Sequence, residues 1–460
     1  MVNYMILDKL KKEFNESSDL IVKKINNVTV VFLESVCDSN KLNEFIFKNM
    51  KVKKYFSLRN LVTAPSVIYV DDYDKLEFYL TNGFALVFDD KELLVCEVKG
   101  NLFRTIGMPT QEASINGPKD SFNESILTNL GLVKRRIKSD KLVNKDMFVG
   151  RKTNTKVSVL FLSDIGNKEI FDNVCKMVSE IDIDGIVDIE VIMQKLDERN
   201  LPMPTIMKTE RPDKVSSSLL EGKIVMLADN SPYALIMPAY FSDFINPDSD
   251  RYVKSINVNI LKIIRLLCLI ITITLPSLYI SIINYNPQSI PLNLLLSFQS
   301  GRSGVPFPSS FEAVFMIFLC AILRESDIRF PSNYGSSISI LGALILGEAA
   351  VSASIASPIM IIVIGITFIT GLVFSSGEVI SGLRIFRLLL LICSIVFGLY
   401  GFVLGSIMLL IHLCSMNTFK QPYMYPIAPY DKTYLFKTLL KKNNDKYRSK
   451  FLSNNLRKEK

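Results

Sequence analysis

The sequence predicts an α/β water-soluble N-terminal region of two subdomains, followed by an α-helical transmembrane domain of about four spans and a re-entrant helix. Three observations carry this. Charged and apolar residues are mixed from Met1 to Lys262, as in a domain that folds in water, whereas Leu266 to Gly301 and Leu388 to Phe419 contain no Asp, Glu, Lys or Arg. From Phe330 to Leu383 the only charged side chains are Glu348 and Glu378. The mean hydropathy of the 460-residue chain is positive, which is unusual for a water-soluble protein of that length. Runs of about 20 apolar residues are what a hydrocarbon core of roughly 30 Å requires of a helix.

The first subdomain, 1–115, opens on the polar stretch Met1 to Glu16, which lacks the continuous apolar core of a secretory leader and so is expected on the cytoplasmic side. Apolar and β-branched runs predict strands at Val28–Leu33, Val67–Val70, Phe84–Phe88 and Leu93–Val98, with a helical stretch near Lys41–Met50. Pro109 to Ser121 separates two patterned halves. In the second subdomain, 116–250, Thr155–Leu162 reads as a strand. Ile170, Val174, Val178 and Ile181 give helical spacing over Lys168–Ile181. Asp229-Asn230-Ser231-Pro232 suits a turn between paired strands at Lys223–Leu227 and Tyr233–Met237.

The transmembrane domain, 251–419, begins with a basic collar, Arg251, Lys254, Lys262 and Arg265, around the start of the first span at Ile263–Ile283. Such a collar marks the cytoplasmic side. Phe311–Leu323, bracketed by Glu312 and by Arg324-Glu325, is short for a span and reads as re-entrant or interfacial. Ile338–Ser357 and Pro358–Phe374 form adjoining spans broken at Ser357-Pro358, and Leu388–Leu413 forms the last. A polar basic tail, 420–460, closes the chain. Two inside ends require an even number of spans, which puts Arg384 and Arg387 outside, against the rule that set the orientation.

The formal net charge of +8 lies largely in the collar and the tail, which points to anionic lipid as a partner and away from nucleic acid. Lys134, Arg135, Arg136, Lys138 and Lys141 form a basic helix face that could meet acidic lipid, a partner or solvent. Seven cysteines are scattered without CxxC spacing, and His412 is the one histidine, so no metal site, disulfide framework or Ser/His/Asp triad is expected. No GxGxxG or GxxxxGK[ST] loop occurs. An enzyme is therefore not expected, and no cofactor.

Small residues recur along one apolar segment: Gly342, Ala343, Gly347, Ala349, Ala353 and Ser357, several of them four apart, which lets helix backbones approach closely in lipid, within one chain or between subunits. Glu348 lies in the middle of this run, where an ionisable group is costly unless it faces water or a partner, so it is a pore or gating candidate. Glu378, among Ser375, Ser376 and Ser381, is a second candidate nearer the membrane edge.

Gly117-Pro118 with Phe122 and Glu124, Lys134-Arg135-Arg136-Ile137-Lys138, and Glu210-Arg211-Pro212-Asp213 before Glu221-Gly222 resemble the A subunits of the GerA-type spore germinant receptors. So do Arg302, Gly304, Pro306 and Pro308 with Glu312, the pair Arg324-Glu325, Gly398-Leu399-Tyr400-Gly401 and Gln421-Pro422-Tyr423. These motifs run from about Pro65 to Asp431. The resemblance implies a subunit in the inner membrane of a bacterial endospore, working with B and C subunits, with the small nutrient germinant sensed mainly through the B subunit. It also implies a homo-oligomeric channel that releases ions. Where that family's pattern favours Gln beside the glycine, this chain carries Glu348. A secondary transporter or permease subunit is the rival reading, but it calls for an inverted repeat that the membrane half does not display.

Overall fold

The computed structural model describes residues 2–435 except 15–16, 26, 53–57, 59–61, 71–75, 90–91, 100–108, 110–111, 113–116, 198–201, 330–346, 375–376 and 433. Gly342 and Ala343, the expected boundary at 115 and most of the tail lie outside the described residues.

Helix α1 (Val2–Glu13) precedes β1 (Leu20–Ile25) and β2 (Val28–Leu33). Short helices α2 (Ser39–Leu42) and α3 (Lys48–Val52) lead to β3 (Val67–Tyr69), and α4 (Leu76–Thr81) leads to β4 (Phe84–Phe88) and β5 (Leu93–Glu97). The sheet is antiparallel with order β1-β2-β4-β5-β3. Because side chains alternate across a strand, Val28, Val30 and Phe32 enter one core and Val31 and Leu33 the other. Strand β2 is consequently buried at every position.

The same plan then repeats. Helix α5 (Ile126–Arg136) precedes β6 (Leu142–Val149) and β7 (Thr155–Leu162), and α6 (Lys168–Ser179) and α7 (Ile189–Leu196) lead to β8 (Met207–Thr209). Helix α8 (Pro212–Leu220) then leads to β9 (Ile224–Ala228) and β10 (Ala234–Met237). The order β6-β7-β9-β10-β8 matches the first sheet strand for strand. The equivalent helices even start alike: Asp38 caps α2, and Asn167 caps α6 by accepting from the Glu169 N–H at 2.9 Å.

Lys134 joins the two units. Its ammonium pairs with Asp19, both side chains being buried, and Asp19 also accepts the Ser35 hydroxyl at 2.7 Å. Arg136 pairs with Asp120, and Lys138 donates to Asn82 at 2.7 Å. The basic face for which lipid, a partner and solvent were all open is thus met within the chain at Lys134, Arg136 and Lys138, because acidic and amide groups remote in sequence fold against it.

After α9 (Phe241–Ile245) comes the helical part: α10 (Ser255–Tyr285), α11 (Leu292–Arg302), α12 (Ser309–Arg329), α13 (Pro358–Gly371) and α14 (Gly377–Ser415). Among the described residues two helices, α10 and α14, are long and apolar enough to cross a membrane, fewer than the four spans expected. Phe311–Leu323, read as a short re-entrant piece, belongs to a 21-residue helix.

The expected last span differs most. Helix α14 reverses at Gly398, whose φ of 59° and ψ of −137° are open to glycine alone. The reversal stacks 399–415 against 377–397: Gly401 abuts the Cys393 carbonyl, Gly405 faces the Cys393 side chain, and the Phe386 and His412 rings lie 6.1 Å apart. Tyr285, at the far end of α10, closes over Gly398 and donates to the Ile395 carbonyl at 2.5 Å. A hydropathy profile cannot register this turn, since glycine inside an apolar run leaves the profile unchanged.

Candidate functional site

Two ionic centres, one at each end of the helical part, collect most of the motif residues. The first begins at the Glu210-Arg211-Pro212-Asp213 string. Pro212 occupies the first turn of α8, where its missing N–H and fixed φ suit a helix start, and Asp213 in that turn complements the helix dipole. Arg211 grips Asp213 with two hydrogen bonds, Nε to Oδ1 at 3.0 Å and Nη2 to Oδ2 at 2.6 Å. Both side chains are buried. Glu210 accepts the Glu112 N–H at 2.8 Å, and its carbonyl accepts the Phe122 N–H at 2.8 Å.

Tyr252 ties this centre to α10. Its hydroxyl donates to Asp213 Oδ2 at 2.8 Å, and its ring lies over Gly117, where a Cβ would approach it to 2.6 Å. Gly117 itself has φ +121°, so two reasons exclude a side chain there. Two further pairs flank Tyr252. Arg251 donates to Glu221 at 2.6 Å, and Arg265 grips Asp250 with bonds of 2.5 and 2.9 Å. Arg251 and Arg265 of the expected basic collar are therefore neutralised within the chain.

Burial acts to raise the Asp213 carboxyl, but the hydrogen bonds from Arg211 and Tyr252 outweigh it and hold the group below its ordinary 3.8. The Tyr252 phenol is pushed up to about 12 by burial and by that same carboxylate.

The second centre lies among the apolar helices. Arg302 ends α11, and the turn through Gly304, Pro306 and Pro308 brings the chain to α12, where the Pro308 carbonyl accepts the Glu312 N–H at 3.1 Å. Glu312 is fully buried. Its Oε2 accepts the Ser357 N–H at 3.0 Å and the Ser357 hydroxyl at 2.9 Å, so the carboxylate sits on the positive end of α13, which Ser357 caps. Arg302 Nη2 reaches Glu312 Oε1 at 3.3 Å as an ion pair. Glu312 Oε1 and Arg302 Nε are buried without a hydrogen-bond partner, and the Tyr279 phenol lies beside this pair. Gly304 permits the turn to approach Ser354, whose hydroxyl would stand 3.3 Å from an added Cβ.

The remaining candidates separate. Ser357 turns inward, where its hydroxyl donates to Glu312. Gly347 and Ala349 lie in a short helical stretch, 347–352, and Ala353 just after it, with Glu348, Ala349 and Ala353 exposed, and an added Cβ at Gly347 would meet nothing within 4 Å. Glu378 instead faces the second α/β unit. There burial pulls Lys208 down, but its 2.6 Å bond to Glu190, with the Glu190 and Glu378 charges, raises it above an ordinary ammonium. Arg324 and Glu325 close α12 away from both centres. The sequence marked Glu312 only as a motif position and Ser357 only as a small packing residue, and passed over Tyr252, because a hydrogen-bond partner far along the chain leaves no local signal.

The α14 hairpin contacts the second unit at both ends. Gly382 touches the Pro202 carbonyl so closely that a Cβ would meet it at 2.2 Å, and Leu413, Met416 and Tyr423 share a core with Met203 and Phe241. Arg384 and Arg387 therefore lie on the side of the helical part that meets the α/β units.

Residues 8–450 match the family described as Bacillus/Clostridium GerA spore germination protein. Spore germination protein KA of Bacillus subtilis is 34% identical over 91% of this chain and 80% of its own length. The Bacillus subtilis membrane protein YfkQ is 32% identical over 82% of this chain and 74% of its own. A solved structure, the N-terminal domain of the A subunit of the Bacillus megaterium spore germinant receptor GerK3, is 28% identical, covering 51% of this chain and 94% of that one at a TM-score of 0.39. With the motif strings gathered into two ionic centres and a family match spanning nearly its whole length, the chain belongs to the Bacillus/Clostridium GerA family of spore germination proteins.

Proposed function

We propose that this chain is the A subunit of a nutrient germinant receptor in the spore inner membrane, with its α/β units on the core side. Its apolar helices lie in the bilayer, and it works with B and C subunits, the germinant being sensed mainly through the B subunit. Its part is to convert that sensing into ion release through a homo-oligomeric channel. Relatives named as spore germination proteins support the setting.

One observation carries the mechanism: Glu312 is a fully buried carboxylate among apolar helices whose Oε1 is paired with Arg302 yet lacks a hydrogen bond. A charge at membrane depth is retained where it does work, and half of this one remains unsatisfied. In the resting state Arg302 neutralises Glu312. Moving Arg302 away would expose a carboxylate on the end of α13 to a permeating cation, as acidic rings do in cation channels. The polar centre around Tyr252 would transmit the movement, because it fixes the α/β unit to the start of α10.

Glu348 fits the same reading as an interface or pore residue. Its side chain is exposed beside exposed Ala349 and Ala353, and a lipid-facing charge would cost several kcal/mol. Close packing of a second copy against the small residues would cover it. The test is reconstitution with the B and C subunits and measurement of germinant-triggered conductance. The Glu312→Gln variant is expected to lose gated cation current at normal protein level, and Glu348→Gln to reduce cation selectivity. Wild-type currents from Glu312→Gln would sink the mechanism.

A further inference from the structure

Between α10, α12, α13 and α14 lies a cleft into which three arginines point: Arg324, Arg384 and Arg387. Arg324 and Arg384 are close enough for their like charges to act on Arg387. Guanidinium groups do not deprotonate in proteins, so this repulsion cannot be relieved by losing a proton. Among the described residues neither Arg384 nor Arg387 has an ion-pair partner, whereas Arg211, Arg251, Arg265 and Arg302 all do. Unlike those four, Arg384 and Arg387 have no carboxylate from the described residues to pair with.

The depth and walls of the cleft narrow the choice of anion. Gly382 touches Pro202 of the second α/β unit, so Arg384 and Arg387 stand about 3 and 8 Å further along the helix axis, at the level where that unit meets the helices. Ile317, Phe368 and Leu383 line the same cleft and offer an apolar surface to an alkyl chain. The Arg fork matches phosphate oxygens in pairs. Basic pockets between membrane helices on the cytoplasmic side suit anionic headgroups.

We infer that the Arg324/Arg384/Arg387 cleft is a binding site for the phosphate of an anionic phospholipid of the leaflet facing the α/β units. The inference rests on the membrane placement of these helices and is independent of ion passage. The lipid would neutralise the cluster and fill the seam between α12 and α14, so the helical part would be stabler in anionic than in zwitterionic bilayers.

The experiment uses the full chain purified in detergent and reconstituted into vesicles of phosphatidylcholine with or without phosphatidylglycerol. Co-purified phosphatidylglycerol and thermal unfolding are measured for wild type, Arg384→Gln, Arg387→Gln, Arg387→Lys and the exposed-site control Lys168→Gln. Wild type should retain phosphatidylglycerol through detergent exchange and unfold at higher temperature with it. Each Gln variant should lower retention about five-fold, on the order of what one basic group contributes beside an anionic surface. Arg387→Lys should keep part of the retention, and Lys168→Gln all of it. Equal retention by wild type and both Gln variants, with unchanged circular dichroism, would overturn the site. So would equal protection by inorganic phosphate, which would make it a free-anion site, or protection only when the B and C subunits are present, which would assign the arginines to a protein carboxylate. If wild type does not enter vesicles at all, the membrane placement fails, a result distinct from entering them without lipid preference.

Discussion

The Arg211–Asp213 and Arg302–Glu312 pairs have the same chemistry and opposite circumstances. Arg211 and Asp213 share two hydrogen bonds, Tyr252 adds a third to the carboxylate, and none of these three side chains has a buried polar atom without a partner. Glu312 spends one oxygen on Ser357 and holds Arg302 by a single longer contact, leaving an atom on each side chain unsatisfied. A satisfied network rigidifies what it joins, and a half-satisfied one can be rearranged at low cost. We read the first pair as a clamp between the second α/β unit and α10, and the second as the element that moves.

Removing one partner from the clamp tests this most severely. Asp213→Ala deprives the buried Arg211 guanidinium of the carboxylate that takes two of its hydrogen bonds, and should cost about 3–5 kcal/mol in denaturant unfolding followed by circular dichroism. Glu312→Gln keeps the acceptor for Ser357 and frees an Arg302 side chain that is already 23% exposed, so the loss should be about 1–3 kcal/mol. A larger loss at Glu312 than at Asp213 would invert the comparison.

Gly117→Ala should cost about 1–3 kcal/mol, through backbone strain at positive φ and collision with the Tyr252 ring. Adding Tyr252→Ala removes the collision and leaves the strain, so the double variant should lose less than the sum of the single variants. An additive result would place the glycine outside the clamp. Tyr252→Phe should cost about 1 kcal/mol, one hydrogen bond.

That last variant also has a pH signature. A carboxyl held low in the folded chain contributes stability above its ordinary 3.8 and loses it as pH falls through the lower folded value. Tyr252→Phe removes one of the bonds holding Asp213 low, so acid unfolding should begin at a slightly higher pH than in wild type. Coincident acid transitions would show that the Tyr252 bond contributes nothing there.

Several elements were legible because their signal is local. Val28–Leu33, Phe84–Phe88 and Thr155–Leu162 were readable as strands to the residue, since a β-branched run bounded by turn residues has few other outcomes. Asp229-Asn230-Ser231-Pro232 announced the β9–β10 hairpin in the same way. The duplicated strand order was not legible, because a topology repeats through the pattern of buried positions and not through particular residues. Four spans were expected where two long apolar helices are described: the expected Ile338–Ser357 span falls partly outside the described residues, the span expected at Pro358–Phe374 is a helix of 14 residues, and hydropathy does not see the reversal at Gly398.

The sequence by itself determined the division into a charged, patterned half and an apolar half, the placement of most strands, and the family, all of which depend on residue order over short distances. Only the tertiary structure decided which charges matter. Glu348 attracted attention as a lone carboxylate in an apolar run, yet in the fold it is exposed, while Glu312 at the edge of its run is fully buried. Lys134 read as a surface charge and is sealed against Asp19. The physical reason is common to all three. The cost of a charge is set by what surrounds it in space, and its neighbours there come from more than 40 residues away: Ser357 for Glu312 and Asp19 for Lys134.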